Sequence, residues 1–356
     1  MRDVLAGQVG QVSMSTRIAQ GLSGIMLIVP FVLMIGGVVL CVLGFPNPLL
    51  LFFGGLIVAV GFYVRPRRPT IEGQFFTRDD LPELFSLTDQ IAERLGGQPI
   101  TKVQFGAEFN AHSVERVGER VLGIGFALWQ ILSAEERVAL IAHEISHQVN
   151  GDQARTGILQ AGLHSVAEWH ALCGSSRLVD QEGYYLRESE AEDIFGRGIM
   201  WIFAAAFSQL WVLLTRLSFL DSQRAEYFAD AIATRAAGRE AVIGTLRKLS
   251  YMPLLHEGYL EMAPSLLPHG TAYFDQLCRH AMTPSEQVRA ELGVQMAEEA
   301  HCVDMSHPPT VERINFLENL TDPQGTPIPY RAGIDAELKP IIEMEGVKML
   351  QMLEVQ

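Results

Sequence analysis

The stretch Ser133-Ala134-Glu135-Glu136-Arg137-Val138-Ala139-Leu140-Ile141-Ala142-His143-Glu144-Ile145-Ser146-His147-Gln148-Val149-Asn150-Gly151 decides how this chain is to be read. Ser133 followed three residues later by Glu136 has the form of a capping box, which predicts a helix start. Val138, Leu140, Ile141 and Ile145 supply its apolar positions, and Asn150-Gly151 supplies its stop. Histidines four apart lie on one face of a helix, so the imidazoles of His143 and His147 can reach a single ion. Glu144 stands beside the first of them and can reach a water on that ion. In such an arrangement a metal lowers the water's pKa and a carboxylate takes its proton. The spacing alone would also suit an ordinary helix face, so its weight depends on the rest of the chain.

A third ligand is available in Ser222-Gln223-Arg224-Ala225-Glu226-Tyr227-Phe228-Ala229-Asp230. Catalytic zinc takes three protein ligands and keeps one open position for water. Glu226 is the candidate. Asp230, four residues on and on the same face, can accept a hydrogen bond from a ligand histidine and fix its tautomer. Taken alone, a Glu–Asp pair at this spacing would be a solvated helix face; beside the His143–His147 helix it reads as ligand and orienting carboxylate. His164 and His170 are six apart and point to different faces, so neither is read as a ligand.

The N-terminus carries the second strong signal. No charged residue occurs between Arg17 and Arg65, and the run is broken at Phe45-Pro46-Asn47-Pro48. Two membrane spans are expected, Leu22–Leu43 and Asn47–Val64, joined by a tight turn. A cleaved signal peptide fits poorly, because the apolar stretch is too long and a second follows at once. Arg2 and Arg17 precede the hairpin while Arg65, Arg67 and Arg68 follow it, so both ends and everything after residue 69 are expected on the cytoplasmic side of the inner membrane.

Beyond the hairpin the expected fold is mainly α with a small β-sheet. A helix opens at Asp79-Asp80-Leu81-Pro82 and stops at Gly96-Gly97, strands are expected over 101–109 and 119–125 with Val117-Gly118 near the turn, and helical periodicity dominates after Gly125. The expected division is an anchor over 1–69, a main domain over 70–320, and a C-terminal tail or helix over 321–356. The acidic stretch within Gly174–Arg197 reads as a solvated face. Ile199–Thr215 is uncharged and apolar. The two ligand helices must share one side of any membrane, so this segment and Thr156–Cys173 either both cross or neither does. His164, Glu168 and His170 are costly in lipid, which favours neither crossing, with Ile199–Thr215 buried in the core or resting on the membrane surface.

These motifs, over about residues 80–320, resemble the membrane-bound zinc metallopeptidases typified by HtpX and the CAAX prenyl proteases. The resemblance rests on Asn110-Ala111 after a strand, on His143-Glu144-Ile145-Ser146-His147 with Asn150-Gly151-Asp152, on Glu226 with Ala229-Asp230, and on Ser306-His307-Pro308-Pro309 with Arg313-Ile314. It implies a zincin-like metallopeptidase domain with one zinc ion on His143, His147 and Glu226, and Glu144 as general base. It favours His307 near the metal. A His307 or Arg313 donor would stabilise the negative oxygen of a tetrahedral intermediate; the alternative makes Arg313 a structural ion-pair partner and His307 a cap. Asn110 and Ala111 would belong to a strand edge on which an extended peptide pairs its backbone. One departure is visible: the family usually has Arg three residues before the third ligand, where this chain has Gln223.

Composition narrows the partners. With 41 acidic against 27 basic residues the net charge is −14, which argues against nucleic acid and against a polybasic lipid-binding surface. Cys41, Cys173, Cys278 and Cys302 are scattered without C-x-x-C spacing and fit a reducing compartment. The expected function is therefore hydrolysis of polypeptides, membrane or misfolded proteins among them, by a multi-pass enzyme in contact with the lipid bilayer. The alternatives are a catalytically silent zinc-binding adaptor and a CAAX-type processing protease.

Overall fold

The computed structural model describes residues 13–66, 73–106, 109–116, 118–173, 196–250, 308–320 and 326–354. His307, most of the acidic stretch, and Cys278 and Cys302 lie outside them. The chain divides into two compact units, one holding 72–153 and 223–356, the other 10–71 and 154–222. The described residues are mostly helical with one small mixed sheet.

In the first unit the sheet has the order β1-β2-β4-β3, with β1 Phe75–Phe76, β2 Lys102–Gly106, β3 Ala111–Arg116 and β4 Glu119–Gly125. The pair β2–β4 is parallel; β1–β2 and β3–β4 are antiparallel. Val103, Phe105, Leu122, Ile124 and Ala111 share the buried face and join the core. The expected strand over 101–109 ends earlier, and the hairpin partner of β4 is instead Ala111–Arg116, turning at Gly118 with φ +82°. Its sequence, Ala-His-Ser-Val-Glu-Arg, is polar because β3 is an edge strand, so the apolar alternation that marks a buried strand is missing.

Helices pack their apolar faces into the same core. Helix α3 (Pro82–Leu95) ends at Gly96 in the left-handed region, as Gly96-Gly97 predicts. After the short α4 (Phe126–Ile131), helix α5 (Ala134–Val149) starts with the expected capping box: Glu136 N–H donates to Ser133 Oγ at 3.3 Å, and Ser133 N–H to Glu136 Oε2 at 2.6 Å. Phe105 and Phe126 stack at 4.8 Å between sheet and helices. Helix α8 (Arg239–Leu249) packs on α5, where Lys248 bonds Glu136 at 2.6 Å, and α9 (Thr310–Glu318) packs on α8. Helix α10 (Ala332–Glu354) contributes Ile334, Leu338 and Ile341 to the core.

The second unit is built on α1 (Met14–Gly44) and α2 (Pro48–Tyr63). The break at Phe45-Pro46 is where the spacing puts it. The first helix starts before Leu22, because Ser13 caps it by accepting from Thr16 N–H at 3.2 Å and its first turns carry polar residues that hydropathy does not mark. Glycines set the distance between α1 and α2. A Cβ on Gly54 would stand 2.4 Å from Cys41 Sγ and 2.8 Å from Gly37 O, and one on Gly61 2.6 Å from Pro30 O. Such close backbone approach is how apolar helices associate without a hydrophobic driving force. Gly54→Ala is therefore expected to lower the thermal unfolding temperature in detergent, at a cost of about 1–3 kcal/mol. Gly55→Ala, whose Cβ meets nothing within 4 Å, should leave it unchanged or raise it. Equal melting of the two variants would contradict this packing.

Helix α6 (Asp152–Leu172) and the N-terminal part of α7 (Gly196–Ala237) pack on α1, with Leu159, Leu163, Val166 and Leu214 against Ala19. Gly162 sits on Ser23 so closely that a Cβ would meet it at 2.3 Å. Thr16 Oγ1 donates to Leu217 O at 3.4 Å and Ser13 N–H to Asp221 at 2.8 Å. Ile199–Thr215 is expected either in the core or on the membrane surface, and of these two full burial in the core is corrected here. One stripe (Ala204, Phe207, Leu214) is inside, but Trp201, Ile202 and Phe203 are 65%, 61% and 50% exposed. The physical reason is the helix's all-round apolarity: one stripe suffices for α1 and α6, and the remainder faces outward. Both α1 and the Met200–Ala237 portion of α7 are long and apolar enough to cross a membrane.

Candidate metal centre

Helix α5 presents His143 and His147 from one face, as their spacing requires, and α7 presents Glu226 and, one turn on, Asp230. His143 Nε2 lies 3.2 Å from His147 Nε2 and 3.5 Å from Glu226 Oε2; His147 Nε2 lies 3.6 Å from Glu226 Oε1. Ligands on a tetrahedral zinc at about 2.0–2.1 Å stand about 3.3–3.4 Å apart along each edge of the tetrahedron. The triangle in this protein has that size, so the donor set fits such an ion in chemistry and in spacing.

Asp230 is fully buried and accepts from His143 Nδ1 at 3.0 Å, which leaves Nε2 facing the other two donors. It also accepts two hydrogen bonds from Arg313, from Nε at 2.7 Å and Nη2 at 2.8 Å. Arg313 Nη2 reaches Glu226 Oε2 at 3.2 Å. Burial works against the charge on Asp230, but the Arg313 guanidinium and the His143 N–H hold its carboxyl below the usual range. Burial likewise opposes a charged His143, yet the hydrogen bonds and charges of Asp230 and Glu226 outweigh it and push the imidazole up to about 10. A metal has to displace that proton on binding.

The other sequence candidates fall around this group. Glu144 is buried on α5, and its main-chain oxygen accepts from Ser113 Oγ at 3.0 Å. That bond fixes edge strand β3 against the helix, and the sequence reading missed Ser113; its one signal was the alternation that puts it on the same face as Ala111. Asn110 is exposed, its Oδ1 accepting from Ala111 N–H at 2.8 Å and its carbonyl from Gly125 N–H at 2.8 Å. Ala111 opens β3. Arg224, on the residue after Gln223, is exposed, whereas Arg313 supplies the ion pairing to Glu226 and Asp230.

Residues 107–321, more than half of the chain, match the model of peptidase family M48. The chain belongs to that family of metal-dependent peptidases. It is similar to the Protease HtpX of Klebsiella pneumoniae subsp. pneumoniae, 28% identical over 58% of this chain and 72% of the relative. It is 26% identical to the Protease HtpX of Xanthomonas euvesicatoria pv. vesicatoria over 80% of this chain and 92% of the relative. The Protease HtpX of Actinobacillus pleuropneumoniae serotype 5b is 23% identical, with 66% of its length covered. The likeness to HtpX proteases and the apolar helices together mark a membrane peptidase.

Proposed function

We propose that this protein is a membrane-anchored zinc endopeptidase acting on membrane or misfolded polypeptides. The observation that carries the reading is the triangle of His143, His147 and Glu226 beside the buried Glu144. Zinc, when bound, supplies Lewis acidity and a water of lowered pKa. Glu144 takes the proton of the attacking water and passes it to the leaving amine. Asp230 holds the His143 tautomer, and Arg313 pairs with both Asp230 and Glu226. Among the described residues β3, beginning at Ala111, is the outermost strand of the sheet, and an extended peptide would pair along it by main-chain hydrogen bonds, giving affinity with little sequence preference. The scissile bond then lies beside the α5 helix to which Ser113 fastens that strand.

The outward apolar residues of α1, α2 and the start of α7 support burial in lipid. Because α6 and α7 run between the two ligand-bearing segments, we propose that they cross together, with the metal centre on the cytoplasmic side. Exposed Ile158 and Leu172 on α6 agree with this. The His164–Glu168 pair, 3.8 Å apart one turn along α6, softens the cost of those groups.

The direct test is metal content and casein cleavage of the detergent-purified protein. Wild type should carry one zinc and cleave. Glu226→Ala should lose both, since two histidines alone hold zinc weakly. Stoichiometric zinc in Glu226→Ala would remove Glu226 from the ligand set, and zinc without cleavage in wild type would favour the silent adaptor.

A further inference from the structure

The family match ends at residue 321, yet the residues after it bind both helices that carry the metal donors. Ile328 N–H donates to Ala236 O at 2.7 Å, occupying one of the carbonyls left open at the end of α7, the helix of Glu226 and Asp230. The guanidinium of Arg137, in the first turn of the His143–His147 helix, lies 5.1 Å from the Trp129 ring centre and 5.5 Å from that of Tyr330. Its Nη1 donates to Asp335 at 2.6 Å and to Tyr330 Oη at 3.2 Å, its Nε donates to Trp129 O at 3.0 Å, and Tyr330 donates to Asp335 at 2.8 Å. Glu337 accepts from the N–H groups of Glu83 and Leu84 at 2.8 and 3.1 Å, and so caps α3, for which Leu81 offers no side-chain cap. Arg94 at the other end of α3 donates to Thr326 O. Ile328, Ile334 and Leu338 are buried beneath these bonds.

We propose that residues 326–341 form a positioning strap for the metal centre. One continuous segment grips the end of the Glu226 helix through Ile328 and the start of the histidine helix through Arg137, and thereby sets the separation of the donors those helices bring together. Residues that hold metal ligands in place cost about 10–100-fold in affinity when lost, and Arg137 acts at the near end of that range. The inference rests on the zinc-site reading above.

The test measures the zinc dissociation constant by chelator competition at a temperature where circular dichroism shows each full-length variant folded. Arg137→Ala should bind zinc about tenfold more weakly, and Arg137→Lys, which can still reach Asp335, should recover part of the loss. A merely structural contact would lower the melting temperature of the folded protein and leave its zinc affinity unchanged. Wild-type affinity in folded Arg137→Ala would overturn the proposal. Should Arg137→Ala fail to fold, Asp335→Asn decides by the same criterion, its side chain being 55% exposed and cheap to change. Wild-type protein that binds no zinc would instead overturn the metal-site reading itself.

Discussion

Glu144→Gln is expected to abolish peptide cleavage, by about 10²–10⁴-fold or more, while zinc remains bound at one per chain. The amide keeps the shape of the side chain but cannot accept the water's proton, and it removes none of the three donor groups. His143, His147 and Glu226 lie within 4.8 Å of one another without it, so metal affinity has no reason to fall. Metal analysis and casein cleavage on the same preparations check both halves. Turnover at the wild-type rate would assign the base elsewhere, and loss of zinc together with activity would make Glu144 part of the binding site.

Arg313→Ala is expected to cost about 3–5 kcal/mol of stability, the largest loss of any single substitution considered. It would leave the fully buried Asp230 with His143 as its remaining partner and would uncover Glu226 beside it, two carboxylates in one apolar region. A bound cation compensates part of that charge, so added zinc should raise the variant's melting temperature more than that of wild type. Arg313→Lys keeps the charge but not the two-pronged bond and should fall between. Thermal unfolding with and without zinc checks this. Unchanged melting of zinc-free Arg313→Ala would show that the fork contributes nothing, and would return Arg313 to the transition-state role.

The arrangement of the candidate site was legible in the sequence because it is local. A capping box, four-residue spacing on one helix face and a second helix with Glu and Asp four apart are all set by helical periodicity, which the chain cannot evade once it is helical. The hairpin was legible for the same reason, since forty-odd residues without charge leave few choices, and the turn is written in Pro46-Asn47-Pro48. Strand β3 was not legible: an edge strand satisfies its core face with residues as small as Ala111 and Ser113, and small polar residues leave no hydropathy signal. Nor was the outward face of Ile199–Thr215, because an apolar helix reads alike whether protein or lipid surrounds it.

What the sequence determined by itself is therefore the helical spacing that groups His143 with His147 and Glu226 with Asp230, the place of Glu144 beside them, and the apolar hairpin, each encoded within one element. Only the tertiary structure decided which charges meet. Arg313 could have faced a reacting oxygen or a buried carboxylate, and its position 83 residues from Asp230 carries no periodicity that distinguishes them. The capping of α3 by Glu337, 254 residues away, is of the same kind. Long-range pairings of this sort depend on where whole helices pack, and packing is fixed by the shape of the entire core rather than by any local pattern.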